Sequence, residues 1–96
     1  MYQIIWKDTA ERDYLQNIDY LLERWTVTEA ENFIRKVDEF LAIIESKPKT
    51  FQKTNYRKTY HVVIVKQITL YYSVDNDKVN LLRFWNNAKD PNSFSL

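Results

Sequence analysis

Cationic side chains are the residues of this chain best suited to chemistry, and they are unevenly placed. Between Ser46 and Val74 stand Lys47, Lys49, Lys53, Arg57, Lys58 and Lys66, with no acid in the interval. Such a block attracts polyanions or an acidic protein partner. Each lysine taken singly reads equally well as a solvated edge or loop residue that discourages strand-to-strand association. Arg83 is a different case, because it is the one charge inside the apolar run Val79-Asn80-Leu81-Leu82-Arg83-Phe84-Trp85. A guanidinium there must reach a strand end, a carboxylate or a ligand, and a paired structural charge is the expected outcome. His61 is the single histidine, expected on a strand surface, and there is no cysteine. Disulfides and thiolate metal sites are therefore excluded, and a histidine zinc site is not expected. Glycine is absent as well, which removes Gly-rich phosphate loops and the nucleotide-binding fingerprints. No cofactor or metal is expected.

The elements that must position these residues can be read from hydrophobic period. Ninety-six residues, of which 16% are aromatic, suffice for one two-layer core, so residues 1–96 are expected to form a single domain. No apolar run approaches the ~18 residues of a membrane span, and with Lys7, Asp8 and Glu11 near the start a cytoplasmic protein is expected. The net charge of +1 conceals an asymmetry: residues 1–45 carry five Lys or Arg against ten Asp or Glu (−5), residues 46–96 nine against three (+6). The two halves are expected to face different partners.

Tyr2-Gln3-Ile4-Ile5-Trp6 is a short β-type run. Asp8 with Glu11 resembles a capping box. Ala10, Tyr14, Leu15, Ile18, Leu21, Leu22 and Trp25 then follow the helical period over about 9–25. Thr26 with Glu29, or Thr28 with Glu31, caps a second helix to about residue 46, with the stripe Ala30, Phe33, Ile34, Val37, Phe40, Leu41 and Ile44. The short connection predicts an αα-hairpin laid on a sheet. Residues 47–55 read as a basic loop in which Phe51 plugs the core edge. Residues 56–65 read as one strand, Lys66-Gln67 as a turn, and Ile68, Leu70, Tyr72 and Val74 as the buried face of the next strand. Asp75-Asn76-Asp77-Lys78 supplies a glycine-free turn, and 79–85 a central strand covered on both faces. The fold class is thus α+β in the order β-α-α-β-β-β. An antiparallel twisted sheet carries the helical hairpin on one face, with the first strand at an edge. The tail after Pro91 is expected to be loosely held, with Phe94 and Leu96 available to dock.

Several segments together carry a resemblance. They are the opening strand ending in Trp6-Lys7 and followed by Ala10, the two helices ending before Lys47-Pro48, and Tyr56-Arg57-Lys58. To these are added Leu70-Tyr71-Tyr72-Ser73-Val74 and the closing run from Leu81-Leu82-Arg83-Phe84-Trp85 to Pro91. In order and spacing, over almost the whole chain, they resemble the RelE/ParE toxin superfamily. The resemblance implies a toxin of a bacterial type II toxin–antitoxin pair, a growth inhibitor linked to plasmid stabilisation and neutralised by a cognate antitoxin in a hetero-oligomer. RelE-like members cut messenger RNA on the ribosome; ParE-like members poison DNA gyrase.

The RelE-like branch would need groups that activate the 2′-hydroxyl, protonate the leaving oxygen and stabilise the phosphorane. Arg57 matches the superfamily arginine at the start of the second strand, and Lys53, Lys58 and Arg83 would complete the catalytic cations. For Arg57 the alternative is a salt bridge to an acid on either helix. Ala88 stands where relatives carry arginine, and no tyrosine follows Trp85. Those departures favour the ParE-like branch, which acts by binding. A member that binds its antitoxin without toxicity is the remaining alternative. Lys89 and Asp90 are expected to close the chain end against each other.

Overall fold

The computed structural model describes residues 1–89 and 91–96; the expected contact between Lys89 and Asp90 lies outside them. β1 (Gln3–Trp6) leads into α1 (Asp8–Arg24) and α2 (Val27–Ser46). β2 (Gln52–Lys53), β3 (Thr59–Val65), β4 (Ile68–Asp75) and β5 (Lys78–Asn86) follow. The sheet order is β1-β5-β4-β3-β2. β3 to β5 form the expected antiparallel meander, and β2 adds to it as a further antiparallel strand inside the segment 47–55, expected as a loop; β1, however, runs parallel to β5, with Gln3 opposite Lys78 and Trp6 opposite Leu81. The sheet is therefore mixed. Two reversals separate β3 from β5, so these strands run the way β1 does, and β2 and β4 run opposite to it.

Local chemistry explains most boundaries. The Lys7 amide bonds the Leu81 carbonyl (3.2 Å) and holds the chain extended, so α1 starts at Asp8 with Lys7 as a cap that makes no side-chain bond. Asp8 and Glu11 are first-turn acids instead of the expected capping box, which the positive end of the helix favours. α2 is capped as expected, the Thr26 hydroxyl accepting from the Glu29 amide at 3.2 Å. Asn76 adopts φ 56° in the two-residue turn between β4 and β5, a conformation asparagine tolerates at little cost.

Residues 56–58, expected as strand, form the tip of the β2–β3 hairpin. The Thr54 hydroxyl accepts from the Tyr56 amide (3.0 Å) and donates to the Thr59 carbonyl (3.1 Å). Lys58 takes φ 56°. Nothing in the types Tyr-Arg-Lys signals a left-handed residue, so the turn was invisible in the local pattern.

The core lies between the helices and one face of the sheet. Ala10, Leu21, Phe33, Val37 and Ile44 meet Leu70, Tyr72, Val79, Leu81 and Phe84, all buried. Trp6, Tyr14, Phe33 and Phe84 form one aromatic cluster with centroids 5.2 to 6.2 Å apart, and Phe51 packs edge-on against Phe40. The stripe of α1 differs from the periodic reading. Leu15, Leu22 and Trp25 are about half exposed, while Asp13 and Asn17 are buried on the inner face. Trp25 is exposed, whereas Tyr14 and Val62 pack on the core.

Tyr72 is fully buried, its hydroxyl donating to the Pro48 carbonyl at 2.6 Å. Tyr72→Phe strips that carbonyl of its donor and is expected to cost about 1–3 kcal/mol at neutral pH, read from urea midpoints. Burial first, and Tyr60 beside it second, raise the Tyr72 pKa above its ordinary 10.0. The unfolded chain loses this proton first, so the stability Tyr72 contributes is complete below about pH 10 and falls as pH rises further. Y72F is expected to show a shallower alkaline decline than the parent; identical slopes would show that Tyr72 does not govern it.

Candidate functional site

The strand register sets one row of side chains across the sheet face opposite the helices. Gln52 pairs with His61, His61 with Tyr71, and Tyr71 with Arg83. Trp85 follows on the same face of β5, and residues 91–96 fold back over it. Phe94 lies 4.8 Å from the Tyr71 ring and 4.9 Å, edge-on, from Trp85. Docking of Phe94 thus replaces the expected loose tail, and it covers the second face of β5. Tyr71 and Tyr72 alternate across the sheet: Tyr72 is core, and Tyr71 packs at a tilt against His61 and Phe94.

Arg83 is committed within the fold. Its Nε donates to Asp13 Oδ2 at 2.6 Å and its Nη2 to Asp13 Oδ1 at 3.2 Å, a two-point fork with side chains only 14% and 7% exposed. Its Nη1 donates to the Ser95 carbonyl (2.9 Å), and its guanidinium lies over Trp85. Asp13 also accepts the Phe84 amide, and Asn17, one helical turn on, donates to the Phe84 carbonyl at 2.8 Å. Arg83 thus joins β5 to α1 through Asp13 and to the chain end through Ser95.

The remaining cations collect around that hairpin. An open groove of ≈ 450 Å³ is lined by Lys49, Lys53 and Lys58 together with Tyr56, Tyr60 and Asp75. Lys58 reaches Asp75 at 3.3 Å, but both side chains are half exposed, so the pair contributes little to stability. Arg57 stands exposed at the tip of the loop, and among the described residues its side chain joins no ion pair. The expected alternative, a bridge from Arg57 to a helix acid, is not formed.

The structure thus groups Lys53 and Lys58 with Arg57 near them, and leaves Arg83 three strands away from β2. Lys49 and Tyr56 join the groove although the sequence reading did not single them out as site residues. The acid-free interval was the signal that contained both. Tyr56 and Tyr60 line the groove itself, and Tyr71 shares the neighbouring depression with Lys53 and Tyr56. Burial, and then Tyr56 alongside, raise the Tyr71 pKa above the ordinary tyrosine value, so it holds its proton at neutral pH and can donate but not serve as a phenolate base. Among the described residues no group of three or more His, Cys, Asp or Glu is placed to hold a metal, and no helix is long and apolar enough to cross a membrane.

A two-helix hairpin on a mixed five-stranded sheet is the architecture of small bacterial toxins. Over 90% of this chain and 96% of the other, the structure of the chromosomal ParDE system from P. aeruginosa superposes with TM-score 0.73 at 11% sequence identity. The YoeB dimer from Staphylococcus aureus gives 0.61 at 19% identity over 86% and 93% of the two chains. A YoeB/ParE toxin from Agrobacterium tumefaciens gives 0.63 at 11% identity over 88% and 96%. At these identities the likeness shows the fold, and it is shared by both toxin branches. No curated protein matches the sequence. The family profile for the ParE toxin of the type II toxin–antitoxin system parDE matches residues 4–91. The chain belongs to this family, within the RelE/ParE superfamily.

Buried and exposed cations should separate cleanly on mutation. Arg83→Ala leaves the Asp13 carboxylate buried without its partner and is expected to cost about 3–5 kcal/mol. Arg57→Ala is expected to stay within about 0.5 kcal/mol of the parent. Denaturant midpoints of both variants check this, and a mild R83A would refute the structural weight given to the pair.

Proposed function

We propose that this chain is a toxin that inhibits bacterial growth by binding DNA gyrase, and that a cognate antitoxin encoded with it blocks that binding. It acts as one domain in the cytoplasm, with no catalytic turnover of its own. The observation that carries this reading is the commitment of Arg83 to Asp13 at 2.6 Å. Of the cations considered for a ribonuclease, Arg57 with Lys53, Lys58 or Arg83, the part-buried Arg83 already has its counter-ion, which supports the binding reading over the catalytic one. The neutral Tyr71 and the side-chain-poor Ala88 add no base and no further cation. The family match supports the same branch. Under this reading the lysine groove and Arg57 are binding contacts for an acidic surface.

The antitoxin partner is supported by the family's description as part of a toxin–antitoxin system. A solved complex of YoeB with YefM from Staphylococcus aureus, whose toxin shares this fold at TM-score 0.59, supports it further.

The test is paired pulse-labelling after tightly controlled induction, with supercoiling by purified gyrase assayed alongside. An early fall in thymidine incorporation and inhibition of supercoiling are expected, with methionine incorporation declining later. An early fall in methionine incorporation alone, with supercoiling intact, would replace this reading by ribosome-dependent cleavage of messenger RNA. Arg57→Ala should weaken gyrase inhibition about tenfold or more, the size of one lost charged contact. No growth effect, with antitoxin binding retained, would indicate a member without toxicity.

A further inference from the structure

We propose that the groove between the β2–β3 hairpin and the β4–β5 turn binds a nucleotide, with its phosphates over Lys49, Lys53 and Lys58 and its base against Tyr56. The floor of the groove is built from the core. Thr59, Tyr60 and Val74 line it and are buried, and the Tyr60 ring stacks on Tyr72 with centroids 5.6 Å apart. The same framework fixes the backbones that carry the cations. Tyr72 donates its hydroxyl to the Pro48 carbonyl, next to Lys49, and the Val74 amide donates to the Lys58 carbonyl at 3.0 Å. Lys53 pairs with Tyr60 across β2 and β3. Three ammoniums from separate segments thus border one preformed depression.

Lys58 is the residue that points to a ligand. Its φ of 56° is a conformation that glycine or asparagine adopts freely and that lysine adopts at a cost. The ion pair with Asp75 does not recover that cost, because both side chains are half exposed and such a pair is worth little. Backbone strain of this kind is concentrated at ligand clamps and other functional sites. Charge and size then select the ligand. The lining carries three ammoniums against the one carboxylate of Asp75, an excess that suits a doubly charged phosphate better than a single carboxylate. An ammonium is a point charge that takes phosphate oxygens from several directions, and among the described residues no arginine fork, the match for a planar carboxylate, lines the groove. At ≈ 450 Å³ it falls in the range of about 300–1,000 Å³ of small-molecule sites. Tyr56, half exposed on its wall, offers a ring on which a base stacks. A nucleotide there competes with an acidic protein surface for the same ammoniums, but its binding requires no target.

Titrations of the full-length chain with ADP, pyrophosphate and adenosine, followed by amide chemical shifts of Lys53, Thr59 and Asn76, test this without any target protein. ADP is expected to saturate, pyrophosphate to bind about tenfold more weakly for want of the base, and adenosine to leave the shifts unmoved. Lys49→Gln should weaken ADP binding about tenfold. Tyr56→Ala should bring it to the level of pyrophosphate, and Lys66→Gln, outside the groove, should leave it unchanged. Lys58→Asn separates ligand from fold: ADP should bind about tenfold more weakly, while the urea midpoint equals or exceeds that of the parent because asparagine tolerates this backbone. A lowered midpoint with ADP binding intact would make Lys58 structural and overturn the proposal. No saturable ADP binding, equal binding of ADP and either of the other two probes, or equal losses in K49Q and K66Q would each overturn it as well. None of these outcomes depends on whether gyrase is the target.

Discussion

The edge of β5 is closed by two side chains of α1, and much of the molecule follows from that closure. β1 pairs with β5 only as far as Leu81. Beyond that point the strand has no neighbour on this side, and a buried amide or carbonyl left there would cost about 1–3 kcal/mol. Asp13 takes the Phe84 amide and Asn17 supplies the Phe84 carbonyl, so a helix surface substitutes for the missing strand. Asn86 extends the arrangement by donating to Asn17, and its own oxygen accepts the Ala88 amide. Placing a carboxylate there in turn requires a cation, and Arg83 provides it. The charge that looked anomalous in an apolar strand is the counter-ion of the group that ends the sheet.

That commitment has a consequence on the outer face. Once the guanidinium is held by Asp13, only its remaining edge is free, and that edge points at the returning chain end. Trp85 below it and Tyr71 beside it then form a surface on which an aromatic ring can rest. The same face carries His61 and borders the basic hairpin, and the chain's own end partly covers it through Phe94. A buried ion pair of this kind is weak support for stability compared with apolar packing. Its value here lies in fixing a donor direction.

Charge segregation follows the same division of labour. The helices carry the acid-rich half and the hairpins the basic half, and the sheet holds them to one core. The helical hairpin also leaves Leu15, Leu22 and Trp25 half exposed, the complement of having spent inner positions on Asp13 and Asn17. The lysine groove and the half-exposed residues of α1 share no side chain.

The amino-acid pattern by itself determined the order of β1, the two helices, β3, β4 and β5, the turn at Asn76, the burial of Tyr72 and Phe84, and the acid-free basic interval. Each of these rests on a local period or a residue's own backbone preference, which act within a few positions. The parallel β1, the hairpin tip at residues 56–58, the inward turn of Asp13 and Asn17, and the docking of Phe94 were decided by tertiary structure alone. Leu15 and Leu22 satisfy a helical period as well as any core residue. The rotation of α1 that exposes them is set by the unpaired backbone of Phe84, some seventy positions away. The site divides in the same way: sequence could show where the cations are concentrated, but only folding showed that Arg83 is spoken for while Arg57 is not. An ion pair is a relation between positions that no single stretch of chain contains.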